Sequence, residues 1–324
     1  NTSRTWYDRE DVDVVLDVPN SAIAFAVANL AREKNKVAIF TGAASSDLTG
    51  RACGPNHLHW VYDTWSQAYA TATALVQEGG DTWYFITADY AFGHAVERDT
   101  GNFVRAAGGR VLGSGRYPFP QTTDFSAQIV QARASGAKVL GLANGGNDIA
   151  NCVKQAAEFG LVRAGMRIAA PLILLPDIHA IGLQASQGLI AADTFYWDQD
   201  EASRAFTRRF QPQFRNIAPN HIQAGGYSAV LHYLKAAQSL GVAQAKADGA
   251  ATIRRMKEMP TEDPLFGRGT IRADGRKVHP SYLYQVKAPA ESRAPWDYYR
   301  RLRTVPAEQA FRPVGEGGCA MVQG

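Results

Sequence analysis

Small hydroxyl, amide and glycine residues gather wherever an apolar, β-branched run of this sequence stops. Pro19-Asn20-Ser21 follows Val18, and Gly42-Ala43-Ala44-Ser45-Ser46 follows Thr41. Ala88-Asp89-Tyr90-Ala91-Phe92-Gly93 follows Thr87, Asn144-Gly145-Gly146-Asn147 follows Ala143, and Pro176-Asp177 follows Leu175. Hydroxyls and backbone N–H groups at the first two edges can serve an anion, especially where a helix begins just afterwards. Aromatic rings at the third edge can cover an apolar body. Each residue alone is also what a cap or a turn requires. Their joint placement on successive strand ends favours a binding cleft, because ligands of open α/β sheets sit outside the carboxyl ends of the strands.

No signature of covalent chemistry accompanies them. The sequence has no GxSxG, HExxH, GxxxxGK[ST] or EF-hand pattern. Residues 141–146 (GLANGG) follow a strand and open onto a helix but lack the GxGxxG spacing. A tight turn exposing backbone donors describes them better than a dinucleotide loop. His57 and His59 alternate with no third ligand nearby, so they read as ordinary loop residues rather than a metal pair. His94 and His179 each stand at a helix start without an evident catalytic partner. Cys53, Cys152 and Cys319 form no metal-spaced pair. Cys152 falls in an apolar helical pattern, as a buried thiol does. Cys53 and Cys319 neighbour glycines in loop-like sequence, where a disulfide between them would fit an oxidising compartment. Neither a cofactor nor a metal is expected.

The elements that must position these edges alternate. Strands are predicted over residues 12–18, 36–41, 82–87, 110–114, 138–143, 167–174 and 190–196. Helices are predicted from Ser21 through Leu30, and over 66–78, 95–107, 125–134, 148–159 and 178–183, with a loop over 42–63. Repeated βα units imply parallel sheets with helices on both faces. After Trp197 the rhythm breaks into consecutive helices at 201–214, 220–239 and 250–259, which argues for open sheets over a closed (β/α) barrel. A last strand at 282–287 precedes an irregular, proline-containing tail.

Composition sets the outer bounds. A length of 324 residues suggests two domains. With 46% hydrophobic and 20% charged residues the chain is not mainly disordered. No apolar run approaches the ~18 residues of a membrane span. The net charge of +4 comes from scattered Lys and Arg rather than a basic patch, so nucleic acid is not an expected partner.

In order along the chain, VDVVLDVPNSAIAFAV, KVAIFTGAASSDLTG, WYFITADYAFG, KVLGLANGGND, AAEFGL and FGRGTIRADGRKVHPSYLYQVK resemble the type I periplasmic substrate-binding proteins of ABC importers, relatives of the leucine/isoleucine/valine-binding protein. The resemblance implies two interleaved Rossmann-like α/β lobes with open parallel sheets and a hinged cleft. It expects lobe 1 from residues 1–62 plus 201–280 and lobe 2 from 63–200 plus 281–324. The chain starts inside the first helix of that plan, so the opening βαβ has no counterpart. By position, Asn20, Ser21 and the turn Ala43, Ala44, Ser45 correspond to carboxylate-binding groups. Phe92, with Tyr90 beside it, corresponds to an aromatic lid, Asn144 and Gly146 to second-lobe contacts, and Asp177 to an acid that meets an ammonium. Aromatic enrichment at Tyr90, Phe92, Tyr196 and Trp197 leans the expected ligand toward an aromatic carboxylate, with a branched-chain or other amino acid next. The resemblance further implies a monomer outside the cytoplasm, in the periplasm or lipid-anchored, that delivers its ligand to an ABC permease and catalyses nothing. A ligand sensor acting through a protein partner is the alternative on the same fold, and an α/β hydrolase using one of the dispersed histidines is the third reading.

Overall fold

A computed structural model describes residues 2–322 of the chain. Strands β1 (Val14–Leu16), β2 (Val37–Phe40) and β3 (His57–His59) pair in parallel as one sheet, in that order. Strands β4 (Thr82–Ala88), β5 (Arg110–Tyr117), β6 (Val139–Ala143), β7 (Arg167–Ala169) and β8 (Ile190–Asp193) form the parallel part of a second sheet, ordered β5-β4-β6-β7-β8. Strands β9 (Thr261–Asp263), β10 (Gly267–Ile271) and β11 (Lys277–Val278) make a small antiparallel sheet. Strands β12 (Ser281–Val286) and β13 (Tyr299–Val305) then extend the large sheet antiparallel beyond β8.

Burial follows from these positions. All residues of β4 and β6 are buried, as apolar strands covered by helices on both faces must be, whereas β5 at the edge keeps exposed positions. The helices start where side-chain caps satisfy their first N–H groups: Asn20 for Ser21–Glu33, Asp63 with Ser66 for Thr64–Gln77, and Asn220 with Gln223 for His221–Leu240. One core runs through both sheets, from Ile39 and Trp60 to Trp83, Phe85 and Ala192.

The expected βα rhythm and open parallel sheets hold, and several boundaries move for local reasons. β1 stops at Leu16 because Asp17 (φ 74°) and Val18 (φ 55°) turn into the left-handed region, where a strand cannot continue. The expected strand over 167–174 ends at Ala169, and Pro176 sits in the first turn of the helix Leu175–Ile181 instead. His57 and His59, read as loop residues, lie on β3 and are buried. The helix expected over 201–214 ends at Phe210, ahead of left-handed Arg215 and Asn216. β13 and the small antiparallel sheet were not expected. The interior of β13, Arg300 to Thr304, is exposed, and this charged edge carries no apolar alternation to read.

The tail is fastened to the first sheet. Cys53 and Cys319 are joined by a disulfide with Cα atoms 5.6 Å apart. The Arg312 guanidinium donates to the Ser46 carbonyl at 2.9 Å. Phe311 is buried beneath Arg276, whose guanidinium lies 4.5 Å from the ring centre. Among the described residues no helix is long and apolar enough to cross a membrane.

Candidate functional site

The first wall consists of the carboxyl ends of β1 and β2. Asn20 spends its side chain as a helix cap, accepting from the Ile23 N–H at 3.1 Å. Ser21, Ala43, Ala44 and Ser45 come together and are buried. The Ser45 N–H donates to Ser21 Oγ at 3.2 Å, and Ser45 Oγ accepts from the Asp47 N–H at 3.4 Å. His57 and His59 hold this turn from behind, their Nε2 atoms 2.9 Å from the Leu48 carbonyl and 2.8 Å from the Ala43 carbonyl. Both imidazoles are pushed toward the neutral form by burial. They fasten the turn, and among the described residues no group of three or more His, Cys, Asp or Glu is arranged to hold a metal.

Asp17, which the sequence reading passed over, stands in the same wall. Its Oδ1 accepts from Thr41 Oγ1 at 3.2 Å. Oδ1 also lies only 2.3 Å from where a Cβ on Gly42 would be, so the close approach requires glycine there. Burial raises the carboxyl above its ordinary range, opposed by the Thr41 hydroxyl.

The second wall surrounds the switch point of the large sheet. β4 has β5 on one side and β6 on the other, so the connections leave in opposite directions and open a crevice at the carboxyl ends. Tyr90 and Phe92 follow β4, and Asn144 and Gly146 follow β6. The Phe92 ring is 3.8 Å from where a Gly145 Cβ would be, which brings the two edges into contact. Tyr90 is half-buried and stacks on Phe119 with ring centres 4.3 Å apart. Gly146 adopts φ 60°, a left-handed turn into the helix Asn147–Glu158. Asn144 is buried, donates from Nδ2 to Cys152 Sγ at 3.3 Å, and leaves Oδ1 without a partner among the described residues. Asp177 is half-buried and accepts from the Leu174 N–H at 2.9 Å. Burial pushes its carboxyl up to about 6, against the pull of that N–H and of His221. Neither Asp17 nor Asp177 has an ion-pair partner among the described residues.

The walls meet at Tyr62. Its hydroxyl donates to the Gly42 carbonyl at 2.6 Å, and burial, with the charges of Asp17, Asp193 and Asp177 adding to it, keeps it protonated. The edge of the Tyr62 ring packs on His221, centre to centre 4.4 Å. His221 Nδ1 lies 2.5 Å from Asp193 Oδ1, while its Nε2 is buried without a partner among the described residues. Tyr62 and His221 were also missed from the sequence: a tyrosine and a histidine in apolar context carry no signal until β8 and the helix His221–Leu240 are brought together.

Tyr196 and Trp197 are committed elsewhere. The Tyr196 hydroxyl donates to the Trp296 carbonyl at 3.0 Å and accepts from the Tyr298 N–H at 3.1 Å. Trp197 Nε1 donates to the same Trp296 carbonyl at 2.8 Å. Their polar atoms therefore bind the C-terminal segment, and the Tyr196 ring packs with Trp197, Tyr284 and Tyr299.

Against known proteins, the model of a family described as periplasmic binding protein matches residues 1–292. A comparison with curated proteins yields no match. The chain is similar to a periplasmic binding protein from Burkholderia mallei, at 42% identity and a TM-score of 0.94, covering 99% of this chain and 83% of that one. It is also similar to a branched-chain amino acid ABC transporter periplasmic ligand-binding protein from Burkholderia xenovorans, at 36% identity and TM-score 0.85, covering 99% and 84%. A benzoate-bound ABC transporter solute-binding protein from R. palustris shares the fold at 19% identity and TM-score 0.82, covering 98% and 84%.

Proposed function

Because the chain belongs to the periplasmic binding protein family of ABC transporters, we propose that it captures a small, ammonium-bearing organic solute between the two walls and passes it to an ABC permease. The family consists of binding proteins that work outside the cytoplasm rather than enzymes. In this reading the protein is a periplasmic monomer, and its disulfide suits that compartment.

The observation that carries the ligand class is Asp177: a half-buried carboxylate in the first turn of the helix Leu175–Ile181, hydrogen-bonded to one backbone N–H and without a cation of its own among the described residues. Buried charge needs a partner, and an ammonium group from the ligand would supply it. The aromatic-acid expectation is weakened by Tyr196 and Trp197, whose engagement with Trp296 ties down two of the four rings on which it rested. Lobes of residues 1–62 plus 201–280 and 63–200 plus 281–324 would close on a hinge. Supporting that reading, His279 Nε2 lies 2.8 Å from the Val61 carbonyl, Arg276 donates to the Tyr62 carbonyl at 3.2 Å, and Ser281 Oγ donates to the Asp193 carbonyl at 3.4 Å. These contacts lace the crossing segments together, as a hinge of few residues requires.

Calorimetric titration with L-leucine, L-phenylalanine, L-leucinamide, benzoate and 4-hydroxybenzoate tests this. The expected result is binding of at least one ammonium-bearing compound, weakened tenfold or more by Asp177→Asn. Tighter binding of benzoate than of every ammonium-bearing compound overturns the assignment.

A further inference from the structure

We propose that the amino ends of β7 and β8 form a second ligand site, away from the cleft, that takes a medium-chain aliphatic carboxylate. The cleft opens at the carboxyl ends of the strands, and none of the residues placed in its two walls lines this second site. Binding at one therefore does not presuppose binding at the other.

The large sheet itself makes the opening. β6 and β7 pair at three positions, whereas β7 and β8 meet only at Ala169 and Ile190. Toward their amino ends the two strands part. Gly165 (φ 92°) and Gly188 (φ 81°) turn the chain ahead of each strand, and a Cβ on either would meet no other atom within 4 Å. A cavity of about 680 Å³ lies there, inside the ~300–1,000 Å³ usual for small-molecule sites.

Its walls are aliphatic. Leu75, Met166, Ile168, Ile181, Leu189 and Ile190 line it, and no aromatic ring does. Such walls adapt to a flexible chain and offer no ring for a planar ligand to stack on. The guanidiniums of Arg163 and Arg167 belong to the same lining. Arg167 pairs with Glu78 at 2.5 Å, whereas Arg163 has no hydrogen-bond or ion-pair partner among the described residues. No Asp or Glu lines the cavity among the described residues, so its uncompensated charge is positive.

A backbone donor joins them. The Arg167 N–H donates to the Lys138 carbonyl at 2.8 Å, so the next N–H along the strand, that of Ile168, faces β8 instead. The ladder to β8 stops at Ala169, which leaves the Ile168 N–H without a partner among the described residues. A free guanidinium and a free N–H call for an anionic acceptor, and the aliphatic walls call for an alkyl chain behind it. A fatty carboxylate meets both demands. An amino acid would bring an ammonium group that no acid in this lining could pair.

The test is calorimetric titration of the wild type, Arg163→Glu and Ala185→Trp with decanoate, kept below its micelle-forming concentration. Decyltrimethylammonium and acetate serve as controls for the charge and for the chain. Ala185 lines the cavity and is half-buried, so tryptophan there fills it, while Arg163 is exposed and its charge can be reversed without a packing change. The wild type should bind decanoate at one site, at least about tenfold more tightly than either control, and each substitution should weaken decanoate about tenfold or more. Both positions lie outside the cleft, so these losses place decanoate in the cavity rather than between the walls. Urea unfolding of each variant reveals a folding defect, and if Ala185→Trp does not fold, Arg163→Glu decides. Failure of the wild type to bind decanoate, equal binding of the decyl cation, or full affinity in either folded variant would each overturn the proposal. Solute capture fails separately, through the amino-acid titrations, and these probes leave it untouched.

Discussion

Replacing Lys277 by methionine should stabilise this protein at neutral pH and lose that advantage in alkali. Lys277 is fully buried in β11, and its Nζ has no hydrogen-bond partner among the described residues. The ammonium sits 4.3 Å from the ring centre of Phe266 and 5.5 Å from that of Trp60. Asp263 attracts it, but that carboxylate already accepts from Ser228 Oγ and from the Leu265 and Phe266 N–H groups. Burial therefore pushes the Lys277 ammonium down from 10.5 to about 7, with Asp263 opposing and Arg276 adding to the fall. The unfolded chain holds this proton up to about pH 10.5, whereas the native protein holds it only up to about 7. Between those values the unfolded state binds more protons, so stability rises with pH across that window.

The interval of about three and a half pH units, at ~1.36 kcal/mol each, puts a ceiling of ~5 kcal/mol on the cost of the buried amine at and below pH 7. Methionine matches the length of the lysine stem and needs no partner, and replacing buried ionic groups by apolar ones of similar volume gains ~1–4 kcal/mol where it stabilises. A gain of that order is expected for Lys277→Met at pH 7, shrinking toward zero near pH 10. Urea unfolding of both proteins at each pH unit from 6 to 10 measures it. A variant less stable than wild type throughout would mean that the two rings hold a charged lysine favourably. A difference that does not change with pH would mean that the amine does not titrate in this window. Either result refutes the reasoning.

Three further outcomes follow from the site and its fastenings. Asp177 is pushed up to about 6, and an ammonium ligand needs it ionised; affinity for L-leucinamide should fall as pH drops below about 6, and Asp177→Asn should flatten that dependence in calorimetric titration. The same shift makes the native state bind more protons than the unfolded one between the ordinary carboxyl range and about 6, so this group's contribution to stability falls as pH rises through that window. Cys53 and Cys319 close a span of 266 residues, and removing both by alanine should cost up to ~5 kcal/mol on the chain-entropy account, measured by chemical unfolding of the variant against the oxidised wild type. Tyr196→Phe removes two hydrogen bonds, but the Trp296 carbonyl keeps Trp197 Nε1 and the Tyr298 N–H keeps the Trp296 carbonyl, so it should cost only ~0.5–1.5 kcal/mol per bond with no change in affinity for any amino acid; a loss of affinity without a loss of stability would place Tyr196 in the site.

Much of the architecture was legible because it is written in periodicity. The fully buried β4 and β6 read as apolar runs, and the helices after β1 and β8 were legible from their periodicity, although the caps prove to be Asn20 and Asn220. The edge strand β13 was invisible because an exposed strand interior needs no apolar alternation. β3 was hidden by its two histidines, which look polar in sequence but are buried against backbone carbonyls. The tail looked irregular because its order comes from contacts distant in sequence: the disulfide to Cys53 and the Arg312 bond to Ser46.

The sequence located candidate groups around the ends of strands but not how they are already bonded, for a physical reason. Residue type tells what a group can donate or accept, but not what it has already spent. Ser21 and Ser45 offer anion-binding groups on paper, yet the Ser45 amide is taken by Ser21 itself. Asn20 offers an amide and uses its oxygen as a helix cap. Conversely, Asp17 reads in sequence as the polar end of a strand, and only the left-handed turn at Asp17 and Val18 brings its carboxylate against Gly42, where it accepts from Thr41 Oγ1. Recognition by this cleft is therefore decided by the balance left after internal hydrogen bonding. On the first wall that balance leaves the Ser21 and Ser45 O–H groups and the Ala43 and Ala44 N–H groups as donors among the described residues, beside the one carboxylate of Asp17.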